Sequence, residues 1–210
     1  MIFDFSSLSA SQIYQNMTQM IIPRPIAWIL TDNGEIRGAD VPSYNLAPFS
    51  YFNAVCSDPP LVMISLGKKP SGEAKDTRVN IEQRHNLVIH IAGESDASAV
   101  TASAATLPHG ESEVDALNMK LVDQPGWLLP RLSDAKIAMA CTLYEIKELG
   151  PQRQALIFCQ INQVFVTDEA VTYDNKQRTK VDASVISPLA RLGASEYATF
   201  GEVFTIVRPE

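Results

Sequence analysis

The residues best suited to chemistry lie in one stretch of the chain, between Asn45 and Thr77. The stretch begins with amide, hydroxyl and aromatic side chains at residues 45–53 and continues through an apolar run, residues 61–67, that predicts a buried strand. It ends in Lys75-Asp76-Thr77, which offers a cation, a carboxylate and a hydroxyl. A pocket for a flat ligand that carries a phosphate requires such an order of polar loop, buried strand and cationic loop.

The end of this stretch, Lys75-Asp76-Thr77, has two interpretations. These residues follow a loop rich in Gly, Ser and Pro and open a predicted helix at residues 76–85. Free backbone N–H groups at a helix start, with an ammonium and a hydroxyl beside them, form an anion site. The alternative is a solvated loop in which Asp76 or Thr77 is an ordinary N-cap, and local sequence alone favours it because such caps are common.

Four amide and hydroxyl side chains in this stretch are flanked by apolar residues, namely Asn45, Ser50, Asn53 and Ser65. Such groups can bind the polar edge of a heteroaromatic ring while Phe49, Tyr51 or Phe52 covers its face. Alternatively, they satisfy backbone groups of their own loop. The sequence by itself leaves both interpretations open.

Several other kinds of site are excluded by missing motifs. The chain has no Gly-x-Ser-x-Gly elbow of a hydrolase, no GxGxxG of a dinucleotide fold and no GxxxxGK[ST] phosphate loop. The histidines His85, His90 and His109 are scattered, and no HxxxH, CxxC or carboxylate cluster has metal-ligand spacing. We therefore expect no metal site, and we expect His90, within an apolar run, to be a satisfied residue of the barrel wall.

The predicted strands must position these residues. Apolar and β-branched runs predict strands at residues 26–31, 61–67, 86–92, 137–146 and 155–167. Turn sequences at residues 32–35 and 149–152 predict two hairpins, the first leading to a strand near Ile36. A shorter β-like run lies at residues 203–207.

Helices and loops fill the rest of the chain. Apolar spacing predicts a helix at residues 9–20, capped by Ser9 or Ser11. A second helix is expected at residues 76–85, residues 95–107 are rich in Ala and Ser and suit a third, and residues 112–117 resemble a short helical turn. Residues 119–134 are expected to form an irregular loop that contains Trp127, a candidate lid residue, and residues 168–182 a surface connection. Hairpin-connected strands with inserted helices favour an antiparallel barrel over a doubly wound sheet.

Length and composition limit the number of domains, the partners and the location that can be expected. A chain of 210 residues with 46% apolar and 20% charged residues is expected to be a single domain over residues 1–210. A net charge of -7 argues against nucleic-acid binding. No apolar run approaches the ~20 residues of a membrane span, and the N-terminus lacks the pattern of a signal peptide. The cysteines Cys56, Cys141 and Cys159 lack a CxxC pattern and are expected to be buried and reduced, which favours the cytoplasm.

Taken together, the motifs resemble the flavin reductase-like family with the FMN-binding split barrel, close to flavoredoxin. The resemblance spans residues 20–200 and is loose only over residues 95–134. It is carried by Arg24-Pro25-Ile26-Ala27-Trp28, residues 45–53, Asp58-Pro59-Pro60-Leu61, Lys75-Asp76-Thr77 with Asn80, and Arg191-Leu192-Gly193 with Tyr197.

The resemblance implies a mainly β fold, a six-stranded antiparallel Greek-key split barrel with added helices, which binds FMN and usually forms a homodimer. Residues 45–53 would line the isoalloxazine, residues 65–67 the ribityl chain, and residues 75–77 the phosphate. Arg191 and Tyr197 would border the site or the dimer contact. The implied cofactor-binding residues are Asn45, Leu46, Ala47, Ser50, Phe52, Ser65, Gly67, Lys75, Asp76, Thr77 and Arg191.

The function that the resemblance implies is NAD(P)H-dependent flavin oxidoreduction, with a flavin or a protein as electron acceptor. Because the flavin performs the hydride and electron chemistry, the protein needs no acid–base pair, and we assign no catalytic residue. That agrees with the absence of a triad. Two alternatives remain open: an electron carrier that holds FMN without using NAD(P)H, and a flavin-free binding module.

Overall fold

One antiparallel sheet organises the fold in the computed structural model, which describes residues 1–34, 42–108, 110–207 and 209. The strands are β1 Arg24–Pro25, β2 Ala27–Asp32, β3 Tyr44–Phe49, β4 Phe52–Ser57, β5 Pro60–Leu66, β6 Asn86–Ile91, β7 Leu121–Val122, β8 Arg131–Leu132, β9 Ile137–Leu149, β10 Gln154–Val166, β11 Val171–Tyr173, β12 Thr179–Val181, β13 Ala190–Arg191 and β14 Tyr197–Ala198. The α-helices are α1 Ala10–Met20, α2 Asp76–Arg84, α3 Ala97–Ala102, α4 Glu113–Ala116 and α5 Ala183–Ile186.

The main sheet has seven strands in the order β3-β2-β6-β9-β10-β5-β4, with every neighbouring pair antiparallel. The predicted mainly β architecture is confirmed, but the count of six strands is wrong, and the described strands do not close into a barrel. Residues 45–53 were expected to be a loop and instead form most of β3 and the start of β4. Pro48 is tolerated in β3 because an edge strand does not need every backbone N–H.

The sheet is buried on both faces. In β2, Ala27 and Ile29 join one apolar cluster, whereas Trp28 and Leu30 join a second cluster on the opposite face, as the alternation of a strand requires. Burying a side chain such as Ile29 or Leu30 stabilises the fold by about 1.5–3 kcal/mol. This double burial explains why the strand reads as an unbroken apolar run.

His90 on β6 is a satisfied wall residue, as predicted. Its Nδ1 lies 3.0 Å from the Trp28 carbonyl oxygen, and its Nε2 accepts the Leu132 N–H at 3.0 Å. Since Nε2 accepts, Nδ1 carries the proton and the ring is neutral. Burial lowers the pKa of His90 to about 4, because the imidazolium form would lose its hydration.

The helix α1 begins with a capping box, which confirms the predicted helix and selects Ser9 as its cap. The Ser9 Oγ accepts the Gln12 N–H at 3.3 Å, and the Gln12 Oε1 accepts the Ser9 N–H at 2.9 Å. At the other end, Arg24 donates to the carbonyl oxygens of Thr18 and Ile21. The capping box is internal to α1, whereas Arg24 joins the C-terminal end of the helix to β1.

Several smaller predictions are corrected. Residues 119–134 contain the short hairpin β7–β8, and residues 168–182 contain the hairpin β11–β12. The helix predicted at residues 95–107 is shorter, since α3 covers Ala97–Ala102. Residues 203–207 pair with no described strand and are exposed, because a β-like sequence needs a partner edge to become a strand.

The cysteine prediction holds for two of the three residues. Cys141 and Cys159 are buried in the first core cluster, whereas Cys56 is exposed on the edge strand β4. The hairpin partner predicted near Ile36, and His109, lie outside the described residues. No helix in the described ranges has the length and apolarity needed to cross a membrane.

Candidate functional site

Two cavities meet beside β3 and share the residues Pro48, Phe49 and Lys75. The larger, about 590 Å³, lies between α1 and the turn that joins β3 to β4, and its size is typical of ligand pockets. The smaller, about 70 Å³, lies between β3, the start of α2 and the residues that follow α3. Together they form one elongated depression with two different ends.

The start of α2 forms the floor of the smaller cavity. The residue that caps α2 is Lys75, whose side chain makes no capping hydrogen bond. The prediction that Asp76 or Thr77 is the N-cap is therefore wrong. Asp76 instead pairs with Lys69 at 2.7 Å, and the Thr77 hydroxyl accepts a hydrogen bond from Asn45. The first N–H groups of α2 thus lack a side-chain cap, and the positive end of the helix dipole lies at the cavity.

A buried amide and hydroxyl network fixes this floor. Thr77 is 1% exposed, and its Oγ1 accepts the Asn45 Nδ2–H at 2.9 Å. Asn80 on α2 donates to the Thr31 hydroxyl of β2 at 3.1 Å, which ties the helix to the sheet. The network holds Thr77 and Asn45 at the cavity wall in one geometry.

The charges around the smaller cavity nearly balance. Lys69 and Asp76 form an ion pair, which leaves the Lys75 ammonium and the Glu113 carboxylate. Glu113 is 7% exposed, and its Oε2 accepts the Leu46 N–H at 2.9 Å. Burial is the main cause that raises the pKa of Glu113, and burial followed by repulsion from Lys69 lowers the pKa of Lys75.

Lys75 is the cation at the junction of the two cavities. Its Nζ lies 5.6 Å from the centre of the Phe49 ring, close enough for a cation–π interaction. Among the described residues, Lys75 has no carboxylate within 4.0 Å of its ammonium group. The ammonium is therefore a half-buried charge that an incoming anion could pair with.

The larger cavity is lined by both aromatic and polar side chains. Tyr14 of α1 and Tyr51 of the β3–β4 turn have ring centres 6.4 Å apart. The Ser65 hydroxyl accepts a hydrogen bond from Gln154 at 2.9 Å, and both residues line the wall. Burial raises the pKa of Tyr51, so its phenol stays protonated. This end offers flat apolar surfaces and several hydrogen-bonding groups.

The structure brings most of the predicted site residues together. Eight of them line the two cavities: Asn45, Ala47, Ser50, Ser65, Gly67, Lys75, Asp76 and Thr77. Alternation along β3 explains the pattern, because Asn45, Ala47 and Phe49 share one face while Leu46 points to the opposite core cluster.

The remaining predicted residues lie outside both cavities. Leu46 is fully buried, and Phe52 packs against the first core cluster. Arg191 stacks on Tyr197 at 4.6 Å and donates to the carbonyl oxygens of Ala194 and Glu196. These three residues contribute no wall to the described depression.

Two other candidates also lie elsewhere. Asn53 is exposed on the edge strand β4. Trp127, considered as a lid, donates its Nε1–H to Gln163 at 2.7 Å and lines a separate cavity beside β9 and β10. The described residues hold no group of three or more potential metal ligands.

Sequence reasoning missed four contributors to the walls. They are the face of α1 formed by Ala10, Ile13, Tyr14 and Met17, the residues 103–107 after α3, Glu113, and Gln154. The apolar spacing of α1 predicts a packed face but does not say what it covers. Glu113 precedes an apolar residue in a predicted helix and gives no sign of burial.

Comparison with known proteins identifies the family of this chain. A family model described as "Flavin reductase like domain" matches residues 17–182. An uncharacterized protein of Halalkalibacterium halodurans is 32% identical over 208 residues, which cover 97% of this chain and 94% of the relative.

Two solved structures superpose over nearly the whole chain. Nitrilotriacetate monooxygenase component B from Bacillus cereus has a TM-score of 0.85 and 29% identity, covering 98% of both chains. The 2-nitrobenzoate 2-nitroreductase of Pseudomonas fluorescens also has a TM-score of 0.85, with 27% identity and coverage of 100% of this chain and 96% of that chain. The family match over residues 17–182 and the relative matched over nearly its whole length confirm the resemblance seen in the motifs. This chain belongs to the flavin reductase-like family.

Proposed function

We propose that this protein binds FMN in the two joined cavities and acts as an NAD(P)H-dependent flavin oxidoreductase. The observation that carries the proposal is the junction at Phe49 and Lys75, where an anion-suited end meets an aromatic end. A phosphate, a ribityl chain and a flat ring require these surfaces in this order.

The smaller cavity suits the phosphate by the chemistry of its donors. Lys75 supplies a charge, Thr77 a hydroxyl, and the start of α2 its uncapped N–H groups. Charge-assisted hydrogen bonds to such donors are about twice as strong as neutral ones. Asn45 fixes the Thr77 side chain, so the cavity requires little rearrangement on binding.

The larger cavity suits the ring. Tyr14, Met17 and Phe49 offer apolar surfaces, while Ser50, Ser65 and Gln154 offer polar atoms. Bound FMN would supply the hydride and electron chemistry. The residues of the chain would hold and orient the cofactor, exclude water from one face and place hydrogen-bond donors at the polar edge. An acid–base pair is not needed for these roles.

The oxidoreductase class is supported by the family and by relatives named as a monooxygenase component and a nitroreductase. The test is anaerobic addition of NADH and NADPH, separately, to the protein with FMN, following flavin absorbance at about 450 nm. Bleaching by either nucleotide at a rate well above that of free FMN supports the enzyme. Failure of both, with reduction by an electron-transfer protein, would replace the enzyme by the FMN electron carrier.

We also propose that the protein is a homodimer, that residues 1–210 form a single domain, and that it is located in the cytoplasm. The dimer is supported by the exposed apolar side chains of the C-terminal tail, Val203, Phe204, Ile206 and Val207, since exposed apolar surface favours association. Sedimentation of the purified protein at several concentrations tests it. A monomer at all concentrations would remove the dimer from the proposal and leave FMN binding untouched.

A further inference from the structure

Arg24 is a buried cation next to the larger cavity. It is 5% exposed, lies on β1, and its Nε–H points to the Ser50 hydroxyl at 3.4 Å. Its terminal nitrogens donate to three carbonyl oxygens, those of Thr18 at 2.6 Å, Ile21 at 2.8 Å and Leu192 at 2.6 Å. All of these acceptors are neutral.

The charge of Arg24 has no counter-ion among the described residues. By contrast, the guanidinium of Arg78 pairs with Glu82 and Glu148, and that of Arg84 lies 3.9 Å from Asp32. Burying a cation without an anion is costly even when its hydrogen bonds are made. An anionic group that binds nearby would offset this cost.

Arg24 lines a separate cavity beside β1 and β13 and reaches the larger cavity through Ser50. Ser50, which receives its Nε–H, lines the larger cavity, and so does the neighbouring Tyr51. The positive charge of Arg24 partly opposes the rise in the pKa of Tyr51, so its field reaches the cavity wall. Two unit charges at about 8 Å still interact appreciably when the effective dielectric constant is about 20.

We propose that Arg24 is a positioning residue that orients Ser50 towards the flavin ring and supplies the positive charge that favours reduced FMN over oxidised FMN. The inference rests on the proposed FMN site. Reduction adds negative charge to the polar edge of the ring, and charges placed near that edge tune the flavin. Arg24 therefore stabilises the reduced ligand more than the oxidised one.

Arg24 also ties α1 and Leu192 to β1, so a variant must separate charge from anchoring. Arg24→Lys keeps the charge and loses most of the hydrogen-bonding fork, whereas Arg24→Gln keeps some hydrogen bonding and loses the charge. Arg131→Gln is the matched control, because Arg131 also donates to two backbone carbonyl oxygens, those of Leu132 and Ser133, and lies outside both FMN cavities.

The measurement is the midpoint potential of bound FMN against free FMN, which gives the ratio of the affinities for the reduced and oxidised forms. Arg24→Gln should lower this ratio about tenfold, a shift of about 30 mV for a two-electron couple. Arg24→Lys should stay within about threefold of the natural protein, and Arg131→Gln should match it. Thermal unfolding of each variant reports the anchoring role separately.

Three results would overturn the inference. They are an unchanged ratio in folded Arg24→Gln, an equal loss in Arg24→Lys and Arg24→Gln, and a natural protein that binds oxidised FMN at least as tightly as reduced FMN. The last result needs no variant, so it decides the matter even if Arg24→Gln fails to fold. Failure of the natural protein to bind oxidised FMN at all would instead refute the proposed function.

Discussion

Replacing Lys75 by methionine should weaken the binding of FMN while leaving the binding of riboflavin nearly unchanged. Lys75 stands at the junction of the two cavities, half-buried, with no carboxylate in reach among the described residues. Methionine keeps the length of the side chain and its contact with Phe49. The substitution therefore removes the charge with little change in the shape of the cavity.

The expected magnitude follows from charge and burial. Two unit charges at 4 Å interact by about 4 kcal/mol when the effective dielectric constant is about 20. Part of this is offset because the lysine and the phosphate both lose water on pairing. A net loss of about 1.5–3 kcal/mol remains, which corresponds to a rise of roughly 10- to 150-fold in the Kd for FMN.

The assay is fluorescence titration of FMN and of riboflavin with the natural protein and the variant. Riboflavin lacks the phosphate, so the ratio of the two affinities isolates the phosphate contact. Lys180→Met is the matched control, because Lys180 is an exposed lysine on the β11–β12 hairpin, outside both cavities. It makes the same change in net charge and should alter the ratio by less than about twofold.

Two results would refute the reasoning. Equal loss of FMN and riboflavin binding would show that Lys75 supports the ring end or the fold rather than the phosphate. An unchanged Kd for FMN would show that the phosphate does not lie in the smaller cavity.

Three further predictions concern the buried polar groups. Glu113→Gln should tighten FMN binding about fivefold at pH 7 without affecting riboflavin binding, because the buried carboxylate repels the phosphate. Since the pKa of Glu113 is raised, FMN binding to the natural protein should also tighten as the pH falls towards that pKa. A flat pH profile of the Kd in titrations would contradict this. Thr77→Val should destabilise the fold by about 1–3 kcal/mol in urea unfolding, because Asn45 loses its 2.9 Å acceptor. Thr77→Ser keeps the hydroxyl and should therefore retain most of the stability. The pKa of His90 is lowered to about 4 from an ordinary 6.5, so the folded state resists protonation and stability is lost as the pH falls between these values. Lowering the pH from 7 to 5 should reduce the free energy of unfolding by about 2 kcal/mol. Urea unfolding of His90→Gln at both pH values should lack this loss.

The fold was predictable where burial on both faces leaves a long apolar run. The strands β2, β6, β9 and β10 follow from such runs, and the helix α1 follows from its apolar spacing and its Ser9 cap. Residues 45–53 were mistaken for a loop because Pro48, Asn45 and Asn53 disfavour strands. Their place at the edges of the sheet, which only the tertiary structure defines, removes that penalty.

Site residues that belong to a sequence motif could be predicted. Residues that only the tertiary structure brings to the site could not. Lys75 and Thr77 were predicted from their order after a buried strand, and both line the smaller cavity. Leu46 was predicted beside Asn45 and Ala47 because a stretch taken as a loop gives no reason to alternate faces, and its side chain packs in the opposite core cluster. Tyr14, Glu113 and Arg24 come together with the site only through folding, so their local sequence could not assign them.

The central claim is that the joined cavities bind FMN through both its ring and its phosphate. The most direct measurement is the visible difference spectrum, at about 450 nm, of the purified protein titrated in parallel with FMN and with riboflavin. The account predicts a perturbed, saturable spectrum with FMN at micromolar concentration or below and clearly weaker binding of riboflavin. No perturbation by FMN, or equal affinity for the two ligands, would contradict it.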